Sequence, residues 1–345
     1  LGFAVALGTI GKFQPELFLK LPGPFGFLLY HIIGGKFLPP YFDNNPFAGD
    51  NHADWLRAGD VVVSTGAKTG TTWLCYCSDA IRRKGSDELG LPFTDIMLTT
   101  PWMEMTTQPG ETWAARMELY NTTVLEDGTK LTDYWDHPAF PFRVFKSHFL
   151  PRGTGDPYQS VLPIKEARKV KFISAVRKPD EYIRSVFNFF PNHNPEFGKM
   201  WGGFPPSYDT LDAVVNDHLP GNPLAGLYIE YNKAWWKFRN EPNVLMLHYT
   251  DMVDDLDGLV TKLAAFLDVE LSSSEFAAVK EKCSFAHMKA NPGQFNYKLL
   301  FGADKVAGTP TIMQSGKFTA KDSAGTKSKE LVLSPEVQGR WDEAL

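Results

Sequence analysis

The sequence predicts an α/β fold: a single three-layer domain with a central parallel β-sheet and a P-loop-like phosphate-binding strand–loop–helix. Three observations predict it. Short β-branched or apolar runs recur, as in Val61-Val62-Val63 and Val170–Val176, and have the character of parallel strands buried on both faces. The stretches between them read as helices, and strands that alternate with helices build a parallel sheet covered on both sides. Polar residues stand just past the strands, at Lys68, His148, Arg177 and Tyr249. Open α/β sheets bind ligands outside the carboxyl ends of their strands, so these positions point at one crevice.

The elements follow in order. Residues 1–54 read as an N-terminal arm and linker, and residues 55–345 as the domain. The chain starts at Leu1 rather than Met, so it is read as trimmed. The apolar start is broken at Lys12, Glu16 and Lys20, and Phe25–Ile33 is too short to span a bilayer. The arm is expected to pack on the domain or to make peripheral contact with a membrane. Pro39-Pro40 and the polar stretch Asp43–Asp54 lead into Asp60–Ser64, the first strand. A turn through Gly66 and Gly70 follows, then a helix from Thr71 to Arg83 that stops at Gly85. Phe142–Phe145 is the second strand, running out at Lys146-Ser147-His148, and Val170–Val176 the third. Pro179 opens a helix through Phe190. Val244–Tyr249 is the fourth strand, Leu256–Leu267 and Ser274–Cys283 are amphipathic helices, and Asn291–Lys329 reads as a long loop.

Composition narrows the function. Hydrophobic residues are 43% and charged residues 22%, the balance of a globular protein rather than a disordered one. The 26 Phe and 9 Trp suit a large core and an aromatic-lined pocket alike. A net charge of −5 disfavours bulk nucleic-acid binding, which needs a basic surface, but permits a local basic pocket for a small anion. The cysteines are only Cys75, Cys77 and Cys283, without a CxxC pair or an HExxH zinc spacing. A reducing, cytoplasmic compartment is expected, with no disulfide framework and no metal.

The chemistry-bearing positions begin at the first turn. Gly66, Lys68, Gly70, Thr71 and Thr72 make a flexible loop opening a helix, where main-chain N–H groups and the helix dipole attract an anion. Lys68 adds a point charge. It precedes Gly70 instead of following it, so the Walker A spelling is not met. Arg177, at the end of the third strand, can fork onto a phosphate. His148, past a strand and near Lys146, can take a proton from an attacking hydroxyl, because imidazole titrates near neutrality.

Lys68-Thr69-Gly70-Thr71-Thr72-Trp73 resembles the 5′-phosphosulfate loop P-K-S-G-T-T-W of the cytosolic-type sulfotransferases, which use 3′-phosphoadenosine-5′-phosphosulfate (PAPS). Ala67 replaces the proline and Thr69 the serine. Further segments resemble that family. Arg177 and Ser185 match its 3′-phosphate motif, and Lys146-Ser147-His148 its K-T-H. Tyr249-Thr250-Asp251-Met252 matches Y-E-D-[LM], and Cys283-Ser284-Phe285 with Met288-Lys289 matches T-S-F-x-x-M-K. The resemblance implies that Lys68 contacts the donor's bridging oxygen, Thr71 and Thr72 its 5′-phosphate, and Arg177 and Ser185 its 3′-phosphate. Trp73, Tyr249, Cys283 and Phe285 would then surround the adenine. His148 would be the general base, Lys146 its helper, and Trp102 of Pro101–Glu104 an acceptor-pocket residue, with Phe149, Trp201 and Phe204 further pocket candidates. PAPS would be the donor and its desulfonated form, PAP, the product. The other substrate would be a small-molecule hydroxyl or amine.

One segment departs from the pattern. Where the family has R-K-G-x-x-G-D-W-K, this chain has Gln314-Ser315-Gly316-Lys317-Phe318-Thr319-Ala320-Lys321-Asp322. Ser315, Gly316 and Lys317 keep the position but lose the two preceding cations, each a charge-assisted contact worth ~1.5–3 kcal/mol. Lys317 and Lys321 are the cations at hand to replace them. The family's dimerisation pattern K-x-x-x-T-V-x-x-x-E is not legible, so the oligomeric state is left open. Two other readings stand beside this one: a P-loop kinase-like phosphotransferase, and a non-catalytic nucleotide-binding module.

Overall fold

A computed structural model describes residues 29, 42–43, 45–106, 111–125, 128–155, 158–195, 204–222, 224–295 and 332–345. The expected N-terminal arm up to residue 41, apart from Leu29, lies outside them, as do Trp201, Ser315, Gly316, Lys317 and Lys321.

The strands are β1 (Val61–Ser64), β2 (Val144–Ser147), β3 (Leu150–Pro151), β4 (Ser160–Leu162), β5 (Lys171–Val176) and β6 (Val244–His248). The main sheet has the order β2-β1-β5-β6, and every pairing in it is parallel. Each residue of β1 and β2 is buried, as strands covered on both faces require. The chain leaves β1 for one neighbour, β2, and returns to the other, β5. The carboxyl end of β1 is therefore a topological switch point, where such sheets open a crevice. Register sets what meets there. Ser64 pairs with Ser147, which brings the residues after them, Thr65 and His148, level. Val176 pairs with His248, which sets Arg177 beside Tyr249.

The helices used below are α1 (Thr71–Arg82), α2 (Trp113–Thr122), α3 (Pro179–Phe189), α4 (Leu211–His218), α5 (Ile229–Trp236), α6 (Tyr249–Asp254), α7 (Leu256–Phe266), α8 (Ser273–Cys283), α9 (Phe285–Ala290) and α10 (Pro335–Ala344). Gly85, at φ +75° just past α1, lies so close to α8 that a Cβ there would stand 2.6 Å from the Ala278 Cβ. Pro179 sits in the first turn of α3 with Asp180 and Glu181, favourable at the positive end of the helix dipole. The helix stops at Phe189, one residue before the expected end. A 3-10 turn, Phe190–Asn192, takes over where Pro191 cannot donate to the α-helical ladder.

Two buried polar clusters brace the frame. At the foot of the sheet, Arg143 Nε and a terminal nitrogen fork onto the two Asp60 oxygens at 2.9 and 2.5 Å. Arg143 also passes its carbonyl to the Val61 N–H at 2.9 Å. The second strand is Val144–Ser147, two residues later than expected, with Arg143 and its brace just before it. In a separate core of α3, α4 and α10, buried His218 receives a bond from Tyr182 Oη at 3.1 Å and gives its Nδ1 proton to the Val214 carbonyl at 2.7 Å.

The described part of the expected linker packs on this frame. Phe47 is fully buried in the main core, Trp55 Nε1 donates to the Pro46 carbonyl at 2.7 Å, and Asp43 N–H donates to the Glu104 carbonyl at 2.8 Å. Among the described residues, no helix is long and apolar enough to cross a membrane.

Candidate active site

The turn after β1 is held by its own hydroxyls. Thr69 gives both its N–H (3.3 Å) and its Oγ1 proton (2.6 Å) to the Gly66 carbonyl. Thr65 Oγ1 lies 2.6 Å from Thr71 Oγ1, tying the two ends of the loop together. Lys68 takes φ +63°, a left-handed conformation that turns its main chain at the loop's apex. Gly70 is the N-cap of α1 at φ +103°, with no side chain capping the helix and no carboxylate in the first turn. An uncapped, acid-free helix start at the end of a central strand suits an anion. A Cβ on Gly70 would stand 3.2 Å from the Tyr249 ring, so only glycine lets loop and ring close this tightly.

Three neighbours complete that side. Arg177 donates through a terminal nitrogen to the Lys68 carbonyl at 3.0 Å, lies 4.1 Å over the Tyr249 ring and pairs with Glu181 at 3.3 Å. Tyr228 Oη donates to the Arg177 carbonyl at 2.5 Å and fixes its main chain. Trp73 packs edge-on to Tyr249 at 6.0 Å and donates its indole N–H to the Cys283 carbonyl at 2.7 Å. The Cys283 side chain is buried, so that residue serves the site through its main chain. Phe285, which opens α9, is half exposed. On α3, Glu181 meets Arg177 and Phe189 meets Lys68, whose Nζ stands 3.3 Å from the ring centroid. Ser185 lies four residues from each and so on the same helix face, between the two contacts.

His148 is gripped from three directions. Its Nδ1 is 2.7 Å from the Thr65 carbonyl. A carbonyl can only accept, so Nδ1 carries a proton, and in the neutral ring the lone pair falls to Nε2. Its backbone N–H donates to Glu104 Oε1 at 2.5 Å, and its ring meets Trp102 edge-on at 5.1 Å. Lys146, nearly buried, lays its ammonium 3.4 Å over the Trp102 ring. The base candidate is thus hydrogen-bonded to the root of the anion loop, on the side opposite Arg177. Phe149 follows His148 in the chain. Its ring is buried against Phe47 at 6.3 Å and its carbonyl accepts from Ser64 Oγ at 2.7 Å, so it packs the core beneath the site.

A family model described as a sulfotransferase domain matches residues 58–344. The chain belongs to the sulfotransferase family. It is 26% identical to mouse sulfotransferase 2A2 over 76% of this chain and 76% of that protein. It is also 26% identical to a rabbit amine sulfotransferase, over 70% of this chain and 66% of that one. Its fold is similar to mouse sulfotransferase SULT7A1 complexed with PAP (TM-score 0.54, 20% identity, 84% of this chain and 83% of that one). It is similar too to retinol dehydratase in complex with androsterone and PAP (TM-score 0.55, 19% identity, 88% and 83%). Family membership replaces the kinase-like and non-catalytic readings.

Sequence reasoning missed four contributors to this sulfotransferase site. Phe189 under Lys68 carried a signal, its place four residues past Ser185 on one helix face. Glu104 stood in a quoted segment without a role. Thr65 and Tyr228 act through a carbonyl and a distant hydroxyl, which no local pattern announces. Among the described residues of the sulfotransferase, no group of three or more His, Cys, Asp or Glu is arranged to hold a metal ion.

Proposed function

We propose that this sulfotransferase transfers the sulfuryl group of PAPS to a hydroxyl or amine of a small-molecule acceptor, with His148 as general base. The observation that carries this is the His148 Nδ1 bond to the Thr65 carbonyl. It ties the imidazole to the root of the loop expected to hold the donor's 5′-phosphate, and in the neutral ring it leaves the lone pair on Nε2. Both solved neighbours named above are complexes with PAP, which supports the same donor chemistry.

The residues fit that donor. The uncapped start of α1 and Lys68 offer positive potential to the 5′ end. Arg177, with Ser185 on the facing stripe of α3, serves the 3′-phosphate, and Trp73, Tyr249 and Phe285 offer ring faces and edges to the adenine. The acceptor oxygen or nitrogen attacks sulfur in line as its proton passes to His148 Nε2. A new bond to sulfur forms while the bond from sulfur to the phosphate oxygen breaks. That oxygen leaves with the electron pair, and Lys68 with the helix N-terminus stabilises its charge. These groups are set before reaction, which is electrostatic preorganisation. Trp102, edge-on to His148, would offer an apolar surface to an acceptor with a carbon skeleton, and Phe204, which packs on Phe190, is a second candidate. Titration calorimetry should show PAP binding in His148→Ala as in the parent, while turnover with PAPS is lost. Near-full turnover in that variant would sink the assignment.

A further inference from the structure

Strand β2 is flanked on its outer side by a short segment, Pro101–Glu104, and that segment holds a buried carboxylate with no role in the chemistry above. Alternate residues of a strand point their N–H groups the same way. The Lys146 N–H finds the Pro101 carbonyl at 2.9 Å, and Trp102 bridges in parallel to Lys146. Two residues on, the His148 N–H meets the carboxylate of Glu104 at 2.5 Å instead of a backbone carbonyl. Glu104 thus supplies the next rung of a ladder that the chain itself has left.

This arrangement carries a cost to the fold. The Glu104 side chain is fully buried, and its Oε2 has no hydrogen-bond partner among the described residues. Burial pushes its pKa up to about 7, opposed by the His148 N–H and by the Trp102 and Ser147 side chains. A buried carboxyl with one oxygen left without a hydrogen bond stabilises a fold less than a packed apolar side chain of its size. Its own main chain is pinned as well. Its carbonyl accepts from the Asp43 N–H at 2.8 Å, and the neighbouring Met103 carbonyl accepts from the buried Arg116.

We propose that Glu104 is the positioning residue for the general base. Its carboxylate fixes the His148 main chain, so that the ring reaches the Thr65 carbonyl and presents Nε2 to the acceptor. This rests on the reading of His148 as base, and the test separates the two. Glu104→Ala removes the acceptor of the His148 N–H, Glu104→Gln keeps an oxygen at the same reach, and His148→Asn identifies the ring signal. Turnover is measured with PAPS and three acceptors, 2-naphthol, androsterone and cyclohexylamine. Binding is followed by calorimetry with PAP, and the ring by the His148 Hε1 proton resonance.

Misplacing a base by about 1 Å costs on the order of 100-fold. Glu104→Ala should therefore lose about 100-fold in kcat while PAP affinity stays within about threefold, and Glu104→Gln should recover at least about tenfold of that loss. The Hε1 line should move or broaden in Glu104→Ala and return in Glu104→Gln, whether or not any of the three acceptors is used. An unchanged Hε1 line in Glu104→Ala overturns the proposal. So does a kcat loss matched by an equal loss of PAP affinity, or a Gln variant that folds but recovers nothing. Full turnover in His148→Asn would instead overturn the base assignment, leaving Glu104 to be judged by the resonance alone.

Discussion

Replacing Gly70 with alanine tests whether the loop and the far wall of the crevice form one unit. Gly70 is held at φ +103°, where an L side chain costs about 1–2 kcal/mol. Its new Cβ would meet the Tyr249 ring at 3.2 Å, tighter than ordinary contact, and a crowded site costs about 1–3 kcal/mol. The stiffer unfolded chain returns about 0.4–1 kcal/mol. The net loss is about 1–4.6 kcal/mol, or about 1–2 °C in Tm for each kcal/mol in a chain of this length. The ring has to shift, and Arg177 stacked 4.1 Å above it shifts too, so PAP affinity should fall about tenfold, ~1.4 kcal/mol. Gly59→Ala is the control. Gly59 has φ +90° with nothing within 4 Å of the added Cβ, so it carries the backbone strain without the contact. Thermal unfolding should show both variants destabilised, Gly70→Ala more, and titration calorimetry should show weaker PAP binding in Gly70→Ala only. If Gly70→Ala binds PAP like the parent, or Gly59→Ala weakens binding as much, the coupling of loop, Tyr249 and Arg177 is refuted.

Other perturbations test separate parts of the argument. Arg177→Lys cannot both reach the Lys68 carbonyl and stack on Tyr249, so PAP affinity should drop at least about tenfold with little change in Tm, as calorimetry and thermal melts would show. Asp60→Ala leaves the buried Arg143 guanidinium with only the longer contact to Asp136 and the Trp55 carbonyl, and should cost up to about 3 kcal/mol, read from urea unfolding midpoints. His218 is buried and neutral, and burial lowers its pKa from 6.5. The unfolded chain therefore binds the proton more readily than the native one, and this contribution, complete above pH 6.5, is lost as pH falls below it. Glu104, raised to about 7, has the opposite sign: its contribution is lost as pH rises from 4.5. Comparing Tm between pH 7 and pH 5 in the parent and in His218→Gln isolates the histidine, and the acid-side loss should be smaller in the variant.

Much of the sheet was legible because parallel strands announce themselves. Val61–Val63 and Phe172-Ile173 are apolar on both faces, and runs of that kind have few other folded solutions. The loop was legible because its residues act where they stand: Gly70 needs a left-handed φ, and Lys68 and the threonines are contiguous. The edges were less so. The second strand starts two residues later than expected, and Arg143 just before it answers Asp60, a partner 83 positions away. Asp43–Asp54 looked like a polar linker because its composition hides Phe47, whose burial depends on Trp55 and Phe149.

By itself the sequence determined the parallel α/β class, the glycine turn into α1, and which strand ends carry Lys68, His148, Arg177 and Tyr249. These follow from local periodicity and from residue types whose conformational needs are their own. Tertiary structure alone decided the strand order that sets β2 and β5 on either side of β1, the tautomer of His148, the ring beneath Lys68 and the carboxylate behind the base. Each of those depends on register between segments far apart in the chain, and register is settled by packing both faces of the sheet at once.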